Sequence, residues 1–306
     1  MKILVTGSSG FAAEFLIPLL KHGGFDVIGL DQKTGKHTNL IQDISKSFDL
    51  TEKIDVIIHL AAKLEHDRCS KRDYFATNVL GTKSVLEIAK KQKAYFIYVS
   101  TTAIYGSPTS PISEKTNIKP IGDYALTKWR GEEICQELKH LIDICIVRPS
   151  VLVGRNRLGI YKIIFKNLFK NSSVPILGDG TNKISFVNIE DFCEFLVMLV
   201  HKRPSGLIVN FGGEIPGNLN EVIEELKQYT NSKSKILHIP LFLIGFLKLI
   251  SKMKLIPITL WQLSVMHKDY YYNNEVLFST GFRYRHNSID ALKSMADYYK
   301  LSFVKK

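Results

Sequence analysis

The chain has 306 residues, long enough for one large domain or a large one with a smaller companion. Its 45% hydrophobic and 23% charged residues exclude a disordered chain, a collagen-like fibre and a disulfide-stapled miniprotein. The net charge of +12 favours anionic partners: a phosphorylated substrate, an anionic membrane surface or nucleic acid.

In chain order, Lys2–Thr6 is a short apolar run that ends at Gly7, the signature of a buried strand. Phe11–Lys21 has helical periodicity. Phe25–Leu30 and Asp55–Leu60 read as strands, the latter nearly continuous in apolar residues, as suits a parallel sheet covered on both faces. Asp73–Lys91 reads as helix, Tyr95–Ser100 as strand, Asp123–His140 as helix and Ile144–Arg148 as strand. Strand and helix alternate with crossovers long enough for βαβ units. The expected fold is therefore α/β, a Rossmann-like doubly wound parallel sheet. After Pro149 the pattern loosens. Helices are expected at Gly159–Lys170, Glu190–Lys202, Asn220–Thr230 and Ser288–Lys300, with strands at Ile184–Val187, Leu207–Phe211 and Lys235–Ile239. Residues 1–150 are expected to form the dinucleotide-binding core. Residues 151–306 are expected to form a smaller, mainly substrate-binding α/β region that returns some elements to the core.

The four cysteines, Cys69, Cys135, Cys145 and Cys193, form no CxxC pair, which points to reduced thiols and a cytoplasmic protein. No run reaches the roughly 20 apolar residues that span a bilayer. The richest stretch, Leu241–Ile250, is broken by Lys248 and followed by Lys252 and Lys254. It reads either as a buried or amphipathic helix or as a helix lying on a membrane surface. No RRM, zinc-finger or helix-turn-helix signature is present, so no nucleic-acid partner is expected. His59 ends a strand and reads as a packed residue, and no histidine set has metal-ligand spacing, so no metal is expected.

Residues 6–13, Thr-Gly-Ser-Ser-Gly-Phe-Ala-Ala, join the first strand to the first helix. Gly7 allows a tight turn, and Gly10 lets a pyrophosphate approach the backbone at the helix start. Asp31 ends the second strand, 24 residues after Gly7. A carboxylate there accepts hydrogen bonds from ribose hydroxyls and repels a 2′-phosphate, favouring NAD over NADP. Lys33 and Lys36 nearby keep NADP as the alternative.

Tyr124 and Lys128 lie four residues apart at the start of a predicted helix, hence on one face. A phenol is a poor base at neutral pH. An ammonium at about 4 Å, at an effective dielectric of about 20, favours the phenolate by roughly 4 kcal/mol, or about three pKa units. The fourth strand ends in Ser100-Thr101-Thr102, hydroxyls placed where open parallel sheets keep their active sites.

These pieces resemble the extended short-chain dehydrogenase/reductase family, in its NAD-dependent epimerase/dehydratase group. The match runs over TGSSGF at 6–11, Asp31, HLAA at 59–62, Asn78 in NVLGT, VSTTAIYG at 99–106 and YALTK at 124–128. It continues through RP at 148–149, ILGDG at 176–180 and FVNIED at 186–191. The resemblance implies Tyr124 as acid/base, Lys128 as its pKa modifier and ribose anchor, and Thr101 as the hydroxyl that holds the substrate. It implies a bound NAD contacted by Gly7, Ser9, Gly10, Phe11, Asp31, Asp43, Ile44, Leu60, Ala61, Ala62, Asn78 and Ser100. It also implies a homodimer.

Sugar dehydratases of this group carry an Asp-Glu pair where this chain has Thr102 and Ala103, so dehydration is not expected. An asparagine common in UDP-sugar epimerases is replaced by Val151, and an arginine by Ile184. Thr102, Arg155, Arg157 and Lys183 are the candidate substrate contacts, the cations facing a diphosphate. RPSVLVGRNRLGI at 148–160, GTNKISFV at 180–187 and the apolar 241–250 region are similar to epimerases of polyprenyl-diphosphate-linked N-acetylglucosamine. The expected activity is 4-epimerisation of a nucleotide- or lipid-diphosphate-linked hexose or hexosamine. Residues 241–254 would then give peripheral contact at the inner face of the membrane. The alternative is net NAD(P)-dependent oxidation or reduction of a sugar, sterol or other secondary alcohol.

Overall fold

The computed structural model describes residues 1–67, 69–253, 255, 256 and 258–304. In chain order the elements begin β1 (Lys2–Thr6), α1 (Phe11–His22), β2 (Asp26–Asp31), β3 (Leu40–Ile41), β4 (Val56–His59), α2 (Lys71–Phe75), α3 (Thr82–Gln92), β5 (Tyr95–Val99), α4 (Asp123–Leu138) and β6 (Ile144–Pro149). Then come β7 (Val151–Val153), α5 (Tyr161–Lys170), β8 (Val174–Leu177), β9 (Phe186–Asn188), α6 (Ile189–Lys202), β10 (Ile208–Phe211), α7 (Leu219–Thr230), β11 (Ile236–Ile239), α8 (Ile244–Lys252), α9 (Leu260–Val265), α10 (Glu275–Ser279) and α11 (Ser288–Tyr299).

The chain divides into two compact units. The first is 1–106, 118–149 and 190–211; the second is 107–117, 150–189 and 212–306. The first holds a seven-stranded sheet in the order β10-β6-β5-β4-β1-β2-β3. Every pair in it is parallel. The order reverses after β1, and ligands of such sheets bind beyond the carboxyl ends of the strands at that reversal. β4 is buried along its whole length and β1 from Ile3 onward. That burial is why their sequences are apolar runs rather than alternating ones. A core of Leu4, Ile57, Phe96, Leu86 and Cys135 lies where α3 and α4 cover the sheet.

The expected helix 73–91 is instead three pieces. Between α2 and α3 the backbone widens into a π-helical segment, Ala76–Gly81. Gly81 permits a tight contact there, since a Cβ would stand 2.8 Å from the Ile44 side chain. β3, β7 and β8 were not expected from the sequence. Each has only two to four residues, too few to show a period.

The second unit has two small parallel sheets, β11-β8 and β7-β9. Its core gathers Phe165, Leu168, Val174, Ile223, Leu292 and Met295.

Candidate active site

The turn after β1 is built around close backbone approach. Gly7 has φ +76°, and a Cβ on it would sit 2.8 Å from the Ala61 nitrogen and 3.0 Å from the Leu60 carbonyl carbon. The Leu60-Ala61 backbone, at the end of β4, therefore rests directly on this glycine. The Gly7 N–H donates to the Leu30 carbonyl (2.8 Å) and the Gly10 N–H to the Gly7 carbonyl (2.9 Å). Helix α1 then starts at Phe11 with no side chain capping it at Gly10. Such a helix start presents backbone N–H groups and the positive end of the helix dipole to an anion. Phe11 packs edge-on against Phe15.

Asp31 stands beside the turn. One carboxylate oxygen accepts from the Ser9 N–H (3.1 Å) and hydroxyl (2.7 Å), and the other accepts from the Lys33 N–H (3.1 Å). It thus ties the turn after β1 to the end of β2. Asp43 accepts from the Ser45 hydroxyl and N–H, and these bonds hold its carboxyl below the ordinary range. Ile44 is buried within the first unit's core. Ala61 and Ala62 stay half-buried beyond β4, as does Leu60.

Asn78 is fully buried. Its carbonyl oxygen accepts from the Lys63 N–H (2.7 Å), and its amide donates to the Lys63 carbonyl (3.1 Å) and the Thr127 hydroxyl (3.0 Å). With both amide protons committed, it ties the loop after β4 to α4 rather than facing outward. The π-helical widening brings it there.

At the end of β5, Ser100 is buried, and its hydroxyl has no hydrogen-bond partner among the described residues. Thr101 is half-buried, and its hydroxyl accepts from the Ala103 N–H (3.2 Å), capping a 3-10 turn at Thr102–Tyr105. Thr102 is 2% exposed, and its hydroxyl donates to the Pro149 carbonyl at 3.4 Å, so it turns toward β6. The reason is the 3-10 turn, which rotates the residue after Thr101 toward β6.

Tyr124 sits half-buried in the first turn of α4, one turn before Lys128. Lys128 is 1% exposed. Its ammonium donates to the Val99 carbonyl at 2.8 Å and lies 4.1 Å from the centre of the Tyr98 ring. Burial lowers its pKa from 10.5 to about 7, with Cys135 and Glu132 pulling the other way. The helix comes this close to β5 because of Gly131, where a Cβ would stand 2.1 Å from the Tyr98 hydroxyl oxygen. That hydroxyl donates to the Lys128 carbonyl (3.2 Å). Tyr98, Val99 and Gly131 are site-building residues that sequence reasoning missed. A glycine inside a helical pattern was the available signal.

Two buried groups underlie this arrangement. His59 bonds Thr6 through Nδ1 (2.7 Å) and Thr82 through Nε2 (3.0 Å), stacks on Tyr98, and has its pKa pushed by burial from 6.5 to about 3. It is a packed, neutral residue. Arg148 forms a forked pair with Glu132 (3.0 and 2.6 Å) and donates to the Tyr105 hydroxyl (2.6 Å), which donates to the Asn210 side-chain carbonyl (2.9 Å). This network accounts for the RP segment at the end of β6.

Arg155, Arg157 and Lys183 belong to the second unit. Arg155 and Lys183 are exposed and Arg157 half-exposed. The Lys183 N–H donates to the Asp269 carboxylate (2.8 Å). Among the described residues, no group of three or more His, Cys, Asp or Glu side chains is placed to hold a metal ion.

The family described as "NAD dependent epimerase/dehydratase family" matches residues 3–212. A putative UDP-glucose 4-epimerase of Methanocaldococcus jannaschii is 31% identical over 250 residues, covering 74% of this chain and 81% of that one. The N-acetyl-alpha-D-glucosaminyl-diphospho-ditrans,octacis-undecaprenol 4-epimerase of Escherichia coli O157:H7 is 25% identical over 254 residues, covering 78% and 75%. This chain spans only 63% of a third relative, the uncharacterised y4nG of Sinorhizobium fredii. The crystal structure of UDP-glucuronic acid 4-epimerase from Bacillus cereus in complex with NAD superposes with a TM-score of 0.78 at 24% identity, covering 99% of this chain and 100% of that one.

Proposed function

Because the chain belongs to the NAD dependent epimerase/dehydratase family, we propose that it inverts C4 of a hexose or hexosamine carried on a diphosphate, whether the carrier is a nucleotide or a lipid. The residues fit the dinucleotide on three counts. Gly7 leaves a cradle that a side chain would fill, Asp31 is held at the end of β2, and the buried Ser100 hydroxyl awaits a partner. When bound, NAD supplies reversible hydride acceptance.

The chain's own groups handle the proton and the position of the sugar. Tyr124 takes the proton of the 4-hydroxyl and returns it after the keto-sugar has turned its other face. Lys128 stands one helical turn from Tyr124, with its ammonium at the Val99 carbonyl. Its charge is poised, since burial brings its pKa to about 7 while the Val99 carbonyl and the Tyr98 ring stabilise the ammonium. General acid/base assistance of this kind contributes about 10²–10⁴-fold. Thr101 offers a hydroxyl at the same strand end. The observation that carries the reading is Lys128, buried and pinned at the end of β5 one helical turn from Tyr124.

Epimerisation is favoured over dehydration by the two positions after Thr101. Thr102 bonds Pro149, and Ala103 is 4% exposed. Neither is a carboxylic acid, so no proton acceptor stands there for loss of water. The E. coli relative's name supports a lipid carrier and the M. jannaschii relative's name a nucleotide.

Incubating the purified chain with UDP-linked and with polyprenyl-diphosphate-linked N-acetylhexosamines, and reading C4 configuration by NMR, tests the reading. Inversion with no accumulating NADH is expected with one carrier. Tyr124→Phe is expected to cut turnover by about 10²–10⁴-fold while NAD binding persists. NADH formed one-for-one with a keto product would replace this reading with net dehydrogenation.

A further inference from the structure

Helix α8 displays the wrong face for a surface helix. Phe242, Phe246, Leu249 and Met253 follow one another at spacings of four, three and four residues, so they stack along one side of the helical run 241–253. They are 82, 61, 56 and 61% exposed. Ile244, Leu247 and Ser251, on the other side, are half-buried, and the Ser251 hydroxyl donates to the Ile258 carbonyl at 2.6 Å. The helix therefore sits down on one apolar side and presents a second one outward. Leu237, Leu241 and Leu255 nearby are also exposed. An ordinary amphipathic helix would put polar residues there, and exposed apolar patches of this extent mark interaction sites.

Charge selects the partner. Between Glu225 and Asp269 there are seven lysines and no Asp or Glu. Lys248 and Lys252 lie within α8, with long stems that let their ammonium groups reach past apolar neighbours. A two-fold contact with a second copy would set this lysine-rich, acid-free segment against itself, with no carboxylate in it to pair. Spanning a bilayer is out of reach for nine residues, and no helix among the described residues is long and apolar enough to cross one. Apolar side chains beside cations, on a helix too short to span, match the headgroup boundary of an anionic bilayer.

We propose that residues 237–255 dock this protein flat on an anionic lipid surface, with Phe242 and Phe246 in the headgroup–acyl boundary and Lys248 and Lys252 at lipid phosphates. Lys254, which belongs to the same stretch of sequence, lies outside the described residues. The proposal holds whether the sugar carrier is a nucleotide or a lipid, so it stands or falls separately from the reaction.

Flotation of the full chain with vesicles decides it. The chain is expected to float with phosphatidylcholine vesicles containing phosphatidylglycerol, not with phosphatidylcholine alone, and to release as salt is raised. Phe242→Ser with Phe246→Ser, and separately Lys248→Gln with Lys252→Gln, should each weaken binding by about tenfold or more. Phe242, Phe246 and Lys252 are exposed and Lys248 is half-buried, so the serine variant should unfold at the wild-type temperature and the glutamine variant, which keeps the inner carbons of the Lys248 stem, close to it. Absence of flotation with anionic vesicles at low salt would overturn the proposal. So would serine or glutamine variants that bind like wild type, or a concentration-dependent dimer lost in the serine variant, which would assign the face to a second copy.

Discussion

The two units treat charge and apolar surface in opposite ways. The first takes ionisable groups out of water: Lys128, His59 and the Arg148–Glu132 pair are all buried among hydrogen bonds. The second leaves apolar side chains in water beside lysines, along α8 and its flanks. Burial shifts the working range of an ionisable group, so a region that hides charges is suited to moving protons. Exposed apolar area beside cations is suited to meeting an anionic, greasy surface. The contrast tells where mutations at these positions will be felt: in folding and pH response at the buried charges of the first unit and, under the docking proposal, in association at α8 of the second.

The sharpest way to break this contrast is to uncouple the buried ion pair. Glu132→Ala leaves the Arg148 guanidinium, whose side chain is 4% exposed, without its counter-charge. Removing one partner of such a pair costs about 3–5 kcal/mol. A denaturant melt should show this as a fall in midpoint, whereas a change within about 0.5 kcal/mol would mean the network is not holding α4 to β6.

His59 gives the next largest effect, on the acid side. Folded His59 protonates at about 3 against 6.5 unfolded, so between those values the unfolded chain binds the extra proton. Its stability contribution is complete above pH 6.5 and drains away as pH falls, by about 3 kcal/mol at pH 4.5. Replacing it in His59→Gln should flatten that acid limb in urea melts from pH 7 to pH 4.5. An unchanged slope would place the acid sensitivity elsewhere.

Lys128 gives the smallest predicted change, over a single pH unit, with the opposite lesson. Folded Lys128 loses its proton at about 7 and unfolded lysine near 10.5, so below pH 7 both forms hold it and the cost of burying the cation is complete. From pH 7 toward 10.5 that cost is relieved at about 1.4 kcal/mol per pH unit. The stability advantage of Lys128→Met over wild type should therefore shrink by about 1 kcal/mol between pH 7 and pH 8. A gap that stays constant would show that Lys128 is neutral or normally charged throughout.

Much of the first unit was legible in the sequence. β1, α1, β5 and α4 fall within a residue or two of the expected bounds, because long apolar runs and helical periodicity reflect burial on both faces or on one. The glycine turn was legible because only glycine tolerates the Gly7 conformation under the Leu60-Ala61 backbone. Asn78, Thr102 and the depth of Lys128 were not. Asn78 reaches Lys63 only through a π-helical widening, Thr102 turns inward only within a 3-10 turn, and Lys128 is buried only because Gly131 lets α4 press on Tyr98. None of these leaves a local pattern. In the second unit, Leu241–Ile250 reads alike as a buried or a surface helix, since periodicity does not say what covers a face.

By itself the sequence determined the strand–turn–helix order, the identities of Tyr124 and Lys128, and the basic, acid-free character of the 226–268 stretch, because backbone propensity, chemistry and charge are properties of residues and their spacing. Only the tertiary structure decided that Lys128 loses most of its water, that Asn78 works through Lys63, and that the Phe242–Met253 stripe remains uncovered. Solvent exclusion and close packing are set by neighbours distant in sequence, and those neighbours exist only once the chain has folded.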